Sequence, residues 1–423
     1  MDALAEVRKL IGPAPEGGWR RDLLMEHLYA LHDAHRGLYK RHLLALSQEM
    51  SVPMAQVVRV ATSCRDFEIL ADGQATPAAT VRVCEGLSCD MAGSSDLLQC
   101  LPGLIDGVKA VGAPCLGYCD HAPAVLVGQA AVSRATPEEV VNALMRDSSR
   151  SVFREAQAPV VSALVDYKEY CEDGGYALAA AVANGEEDAE FVLHALDESG
   201  LCDLGGTGMP VGATWRRVRQ EALESSTPAS LVVDLSDCEP GSFKDRHFLE
   251  RDPHRFLEGL LVAAHVVGAD AAYICMRKDH HSIRVLLEAE LAALAADPPC
   301  RLPRIELRRG AAPAGPEALM QSLETLYWVR DILRRGPRWF TDFGRHGSRG
   351  LRMFSVSGRV AKPGVKVAPA GITPCELVDE YCGGMAEGHE LYTCVADGAA
   401  GTVIVAGHGD KARLQKFFPD AGS

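Results

Sequence analysis

No stretch of this 423-residue chain stays apolar over the roughly 20 residues that a membrane-spanning helix requires, so the sequence predicts no membrane span. A secretory leader is missing too: Met1 to Ile11 is charged and has few consecutive apolar residues, and the protein is expected in the cytoplasm. Basic residues are in deficit, with 43 Lys and Arg against 57 Asp and Glu, for a net charge of −14. Without an excess of cationic side chains a surface cannot neutralise a phosphate backbone, which argues against nucleic acid as a partner. Internal repeats and long low-complexity tracts are also lacking, so nothing points to a solenoid. What remains is a chain long enough for two or three domains, each with its own core.

Cysteine, by contrast, is plentiful: there are fourteen. Four have a spacing that stands out. Cys84 and Cys89 follow the β-rich run Thr80-Val-Arg-Val and are separated by Glu-Gly-Leu-Ser, whereas Cys115 and Cys119 follow Val108-Lys-Ala-Val-Gly-Ala-Pro and are separated by Leu-Gly-Tyr. Each run favours a strand, and each run of small residues favours a loop after it. If the two strands lie side by side, both loops emerge together and bring the thiolates to one place. The loop glycines leave backbone N–H groups free to face sulfur, which suits a thiolate-held iron-sulfur cluster. Zinc stays open on spacing, since both pairs fall within its range, and so do plain buried cysteines. A disulfide framework fits least, because many isolated thiols without a leader describe a reduced chain. Cys64 and Cys100 lie outside the paired pattern and read as small buried hydrophobes.

Apolar residues recur at helical spacing from Arg21 to Asp66, and breaks at Gly37 and Ser51-Val-Pro53 divide that stretch into three or more helices. Ser51 is the expected N-cap of the helix that follows. The acidic balance disfavours reading these helices as a DNA-binding helix-turn-helix. A helix from Pro137 to Met145 is expected to close the first domain, and residues 147–158, which lack a period, read as a linker. Beyond it, helices are predicted at 159–172, 177–184, 187–199, 215–223, 253–267 and 282–295, with strands at 230–235, 271–277 and 304–308. That alternation describes an α/β sheet. Asp279-His-His281 invites a metal reading, but no third ligand lies nearby in sequence, and the pair reads as a solvated helix cap. The glycine-rich stretch 199–215 can turn backbone N–H groups toward a phosphate, although most such loops are only turns.

These residues together resemble a known family. The pattern C-x4-C then C-x3-C at strand ends, with Val81-Arg-Val-Cys-Glu-Gly-Leu-Ser-Cys-Asp-Met-Ala-Gly93, resembles the thioredoxin-like [2Fe-2S] subunit of complex I and of related NAD-linked formate dehydrogenases and hydrogenases. The segment between the cysteine pairs is shorter than is usual there. The stretch from Ser199 to Trp215 resembles the flavin loop S-G-L-R-G-R-G-G-A-G-F-P-T-G-L-K-W of the complex I flavoprotein subunit, keeping Gly205, Gly206, Gly208, Pro210, Gly212 and Trp215. Cys202 and Leu204 stand where that family has arginines, Met209 where it has an aromatic, and Thr214 where it has a lysine. Glu239 to Arg246 is similar to E-P-G-T-F-K-D-R of the same subunit, whose glutamate reaches the nucleotide; the bland alternative is a turn with a Lys-Asp-Arg surface cluster. Gly315 to Glu324 is similar to G-E-E-T-A-L-L-E-S-L-E and keeps Glu317, but the family's following loop and Asn-Asn pair, which help hold the flavin phosphate, look deleted. The family's C-terminal [4Fe-4S] domain finds no counterpart up to Ser423, and Cys375, Cys382 and Cys394 read as structural.

The resemblance implies an α/β multidomain chain. Its expected parts are a helical cap with a thioredoxin-like [2Fe-2S] domain (1–146), a linker (147–158), a Rossmann-like flavoprotein domain (159–345) and a C-terminal β-grasp domain (346–423). It implies a [2Fe-2S] cluster on Cys84, Cys89, Cys115 and Cys119. An FMN and NAD(H) site would draw on Gly205, Gly206, Gly208, Glu239 and Glu317, but the losses on the ligand side favour a degenerate flavin half acting as scaffold. No catalytic residue is assigned. The expected function is electron transfer within a molybdenum- or tungsten-dependent formate dehydrogenase, beside a large molybdopterin-type subunit. The alternatives are an NADH:FMN diaphorase subunit and a zinc-stapled interaction module. Chemical analysis separates the last of these: iron with acid-labile sulfide, and an EPR signal on reduction, is the expected result, and zinc without sulfide ends the cluster reading.

Overall fold

The computed structural model describes residues 3–15, 18–64, 67–74, 79–104, 108–128, 130–148, 164–205, 207–235, 240–276, 281–309, 318–395 and 403–405. The chain divides into two compact units, Met1–Ala78 with Arg308–Pro313, and Ala79–Leu307 with Ala314–Ser423.

Helices Ala3–Ile11, Leu24–His35, Lys40–Glu49 and Met54–Ser63 build the first unit. Leu28 and Leu31, Leu43 and Leu46, and Val57 are buried at its centre, as the helical spacing requires. Ser51 is not the N-cap. It adopts a left-handed φ of 52° just after a helix end, and Pro53 takes the N-cap place without a side-chain hydrogen bond. The local reason is a tight reversal in which Ser47 Oγ donates to Val52 O at 2.7 Å and Val52 N–H donates to Ser47 O, leaving proline to set the entry angle of the next helix.

The second unit opens with a four-stranded sheet in the order Val108–Ala113, Ala79–Cys84, Ala124–Val127, Ala130–Ser133. The first two strands run parallel, and the others pair antiparallel. Val81, Val83, Val125 and Val127 fill its core, against which helices Ser94–Cys100 and Pro137–Ser148 pack through Leu97, Val140 and Leu144. Cys100 is exposed at the end of its helix, not buried as expected, and Cys64 is half-buried with its sulfur 3.5 Å from Tyr29 OH.

Next comes a second four-stranded sheet, ordered Ala318–Gln321, Ala229–Leu235, Ala269–Met276, Arg304–Arg309. The first three strands are parallel. Strand Ala318–Gln321 was not foreseen from the sequence: it is short and exists by pairing with Ala229–Leu235, which buries Leu319 and Gln321 and leaves Met320 outside. Helices Ala189–Ser199, Val211–Ser225, Pro253–Val267, His281–Ala296 and Leu323–Arg335 surround this sheet. Their ends follow the capping residues: Asp188, Asp252 and Ser322 accept N-terminal backbone N–H groups, and Gly200 and Gly268 close C-termini at positive φ. His281 begins its helix, while Asp279 and His280 lie outside the described residues. The described C-terminal part has two antiparallel ladders, Leu351–Val356 with Gly364–Pro369 and Thr393–Val395 with Val403–Val405. Between them Thr373 forms a capping box with Glu376. No helix among the described residues is long and apolar enough to cross a membrane.

Helix Pro253–Val267 is the most buried of the described helices, and it meets Leu323–Arg335 closely at Gly259. A Cβ there would lie 2.0 Å from the Leu326 carbonyl oxygen, a backbone atom that cannot swing aside. Gly259→Ala is therefore expected to cost about 1–3 kcal/mol, read as a lower urea midpoint with an unchanged slope.

Candidate functional site

The cysteine site follows from strand register. Parallel pairing places Cys84 opposite Ala113, and Glu85 N–H continues the ladder to Ala113 O at 2.8 Å. Both chains leave the sheet at that edge. One turns through Gly86 into helix Leu87–Met91, which carries Cys89; the other turns through Cys115 and Gly117, at φ 77°, to Cys119. All four cysteines are buried, and none is in a disulfide. Cys115 and Cys119 sulfurs lie 3.4 Å apart, and Gly86 N–H donates to Cys84 Sγ at 3.4 Å. Gly86 is glycine for a steric reason, since a Cβ would come within 3.3 Å of both Cys84 Sγ and Cys115 Cβ.

Contact with Cys119 and Cys84, helped by Gly117 and Gly241 N–H groups, draws the Cys115 thiol far below its ordinary pKa. Contact with Cys115 and Cys89 pushes Cys84 up, and contact with Cys115 pushes Cys119 up. Thiols this crowded cannot all ionise unless a cation sits among them. A tetrahedral zinc, with Zn–S about 2.3 Å, would gather its sulfurs to roughly 3.8 Å of one another. Cys115 and Cys119 already stand at 3.4 Å, so the spacing within that pair suits either metal. The donor set, four buried thiols with backbone N–H groups on Cys84 and Cys115, fits a two-iron cluster.

Residues far along the chain complete this site. Gly241 N–H donates to Cys115 Sγ at 3.3 Å, and Phe243 packs on Cys115 and Cys119. Arg246 is buried, its Nε donating to Gly117 O at 3.0 Å and its Nη2 to Asp120 Oδ1 at 2.8 Å, with the guanidinium 4.4 Å above the Tyr118 ring. Lys244 pairs with the buried Glu324, which also accepts from Met353 N–H at 2.7 Å. Burial works against the Lys244 ammonium, but Glu324 and Asp245 hold its pKa above the ordinary value; burial pushes Asp245 up to about 6. The Lys-Asp-Arg run is thus not a surface cluster. From the C-terminal part, Ser357 Oγ meets Ser88 Oγ at 2.9 Å beside Cys89.

In the glycine-rich stretch, Asp203 is buried at the hub. Its carboxylate accepts from Thr207 Oγ1 at 2.8 Å, Thr325 Oγ1 at 3.1 Å, and Thr207 and Ser322 N–H at 3.4 Å. Leu204 N–H donates to Thr325 Oγ1, and a Cβ on Gly205 would meet Ser322 Cβ at 2.9 Å. The start of helix Leu323–Arg335 therefore lies directly on this loop.

Comparison with known proteins agrees with both halves. Residues 14–147 match the family described as thioredoxin-like [2Fe-2S] ferredoxin, and residues 196–331 match the Nuo51 FMN-binding domain. The chain joins these two domains. It is 30% identical over 276 residues to an NADH-quinone oxidoreductase protein of Rhizobium meliloti, covering 56% of this chain and 65% of that protein. The NADH-ubiquinone oxidoreductase 51 kDa subunit of Neurospora crassa is 29% identical over 269 residues, covering 54% of this chain and 55% of that protein. The chain thus spans less than two-thirds of these relatives. A crystal structure of an NAD+-reducing [NiFe]-hydrogenase in the air-oxidized state superposes with a TM-score of 0.72, covering 93% of this chain and 74% of that one; at 23% identity this speaks to fold alone.

The FMN-binding domain is present as a fold, yet its described loop residues do not fit a flavin phosphate. Asp203 places a fixed carboxylate in this loop, where it takes the Thr207 and Ser322 N–H groups, and that charge repels an anion brought beside it. Cys202 and Leu204 offer no cation, Met209 is exposed, and Thr214 donates to Pro210 O within its own helix. Gly205 and Gly208 are described in the loop, whereas Gly206, Glu239 and Glu317 lie outside the described residues. Helix Leu323–Arg335 starts directly after strand Ala318–Gln321, with Ser322 as its cap. Sequence reasoning missed Asp203, although the signal was there: it stands where the family's loop has a glycine. It also missed Gly241, Phe243 and Arg246, whose role depends on contacts more than a hundred residues away.

Removing the Asp203 carboxylate takes away the acceptor that Thr207, Ser322 and the buried Thr325 share. Asp203→Ala is expected to destabilise the protein by about 1–3 kcal/mol, measured as a lower urea midpoint.

Proposed function

We propose that Cys84, Cys89, Cys115 and Cys119 ligate a [2Fe-2S] cluster, and that this protein is an electron-transfer subunit of a multi-subunit oxidoreductase whose flavin-type half works as a scaffold. The observation that carries this reading is the buried convergence of the four sulfurs at one sheet edge, together with the Asp203 carboxylate held within the glycine-rich loop. Such a cluster, when bound, passes single electrons at a potential set by its charge, its hydrogen bonds and its exposure. The four thiolates supply the charge, Gly86 and Gly241 supply N–H groups to sulfur, and Phe243 keeps water from the Cys115–Cys119 side. The relatives' names, which describe parts of NADH oxidoreductases, support the placement in a complex.

The partner we propose is a large molybdopterin-type catalytic subunit of a formate dehydrogenase, a choice that rests on the sequence resemblance. Purification of the native complex tests it: that subunit should copurify, with iron and sulfide but without stoichiometric flavin. FMN near one per chain, with NADH-dependent dye reduction, would replace the scaffold reading with the diaphorase one.

A further inference from the structure

We propose that Pro240 to Arg246, although it belongs to the FMN-binding-type domain, is part of the cluster's own environment, and that Arg246 is the positioning residue that holds the Cys115–Cys119 loop in ligating form. The inference rests on the [2Fe-2S] reading above and adds a second job for a motif that resembles a nucleotide-site motif.

The argument starts from burial. A guanidinium that is only 7% exposed must be paired through its donors, or its desolvation goes uncompensated. Arg246 has four partners, and three of them belong to one loop: the Gly117 carbonyl, the Tyr118 ring and the Asp120 carboxylate. These residues lie between the two ligands or directly after the second. The fourth partner, Glu250 Oε2 at 3.0 Å from Nη1, is one turn further along the same helix and aims the side chain. The planar fork of arginine reaches a carbonyl and two carboxylates at once, which an ammonium cannot do.

Five residues upstream, Gly241 N–H donates to Cys115 Sγ, and Phe243 N–H donates to Ser355 Oγ at 3.0 Å, which fixes the ring that covers the cysteine pair. An arginine serving only to join two domains would not require its own segment to place an N–H on a ligand sulfur. Both the N–H and the cation favour the reduced cluster, which carries one more negative charge. The retained Pro-Gly-Ser-Phe-Lys-Asp-Arg run is thereby explained without a flavin, because its Gly, Phe and Arg each touch the cysteine loop.

The test uses the full chain with its cluster loaded, and compares wild type with Arg246→Met, Arg246→Lys and Asp120→Asn. Iron and sulfide content, EPR g values and midpoint potential are measured on each. Arg246→Met removes a positive charge and should make the one-electron reduction about tenfold less favourable, ~59 mV more negative, with shifted g values. Arg246→Lys should recover the potential in large part but not the g values, because charge is restored and the fork is not. Asp120→Asn, which keeps the shape of the site, should move the potential the opposite way, and it serves if Arg246→Met fails to fold. Wild-type potential and g values in Asp120→Asn and in the folded Arg246 variants would overturn the proposal. Wild-type protein without iron, sulfide or a reduced-state EPR signal would instead overturn the cluster reading on which it rests.

Discussion

Parallel pairing between Ala79–Cys84 and Val108–Ala113 is the constraint on which the cysteine site depends. Because Cys84 faces Ala113, the two strands end level and their loops leave the sheet side by side. A slip of one residue would turn Val81 and Val83 away from the core, so the same apolar burial that holds the sheet together also sets where the ligands emerge. The glycines then decide how near the loops come. Gly86 permits contact between the two cysteine pairs, and Gly117 turns the second loop back on itself.

Around that edge the chain places buried polar groups that each tie one segment to another. Arg246 joins the flavoprotein-type domain to the second cysteine loop, Glu324 joins helix Leu323–Arg335 to strand Leu351–Val356 through Met353 N–H, and Asp203 joins the glycine-rich loop to the helix start at Ser322. None of these carboxylates or cations is isolated, as low-dielectric burial demands. The three ties have different consequences. Arg246 and Gly241 bring charge and hydrogen bonding to the cysteine loop, whereas Asp203 fastens the glycine-rich loop to the start of the next helix. Residues of the FMN-binding-type domain thus pack directly against the neighbouring cysteine site.

Much of this was legible locally. The α/β alternation, the helix Pro253–Val267 and the strand-then-loop form of both cysteine units follow from period, capping and small-residue loops, and each stands close to where the sequence placed it. The failures share one cause. Ser51 has the chemistry of an N-cap, but a reversal through Ser47 and Val52 took its position; strand Ala318–Gln321 forms only because a partner strand is waiting; Cys100 ends exposed because Leu97 and Leu101 face the core in its place.

By itself the sequence determined the grouping of Cys84, Cys89, Cys115 and Cys119 on two loops, because thiol spacing, glycine positions and β-branched runs act over a few residues. It also determined which cations are missing from the glycine-rich loop. Only the tertiary structure decided that Asp203 fills that loop and that Gly241, Phe243 and Arg246 belong to the cysteine site. Those contacts span from 119 to 129 residues of sequence, and nothing in local propensity or spacing specifies which distant backbone a buried carboxylate or guanidinium will meet; packing of the two sheets and their helices makes that choice.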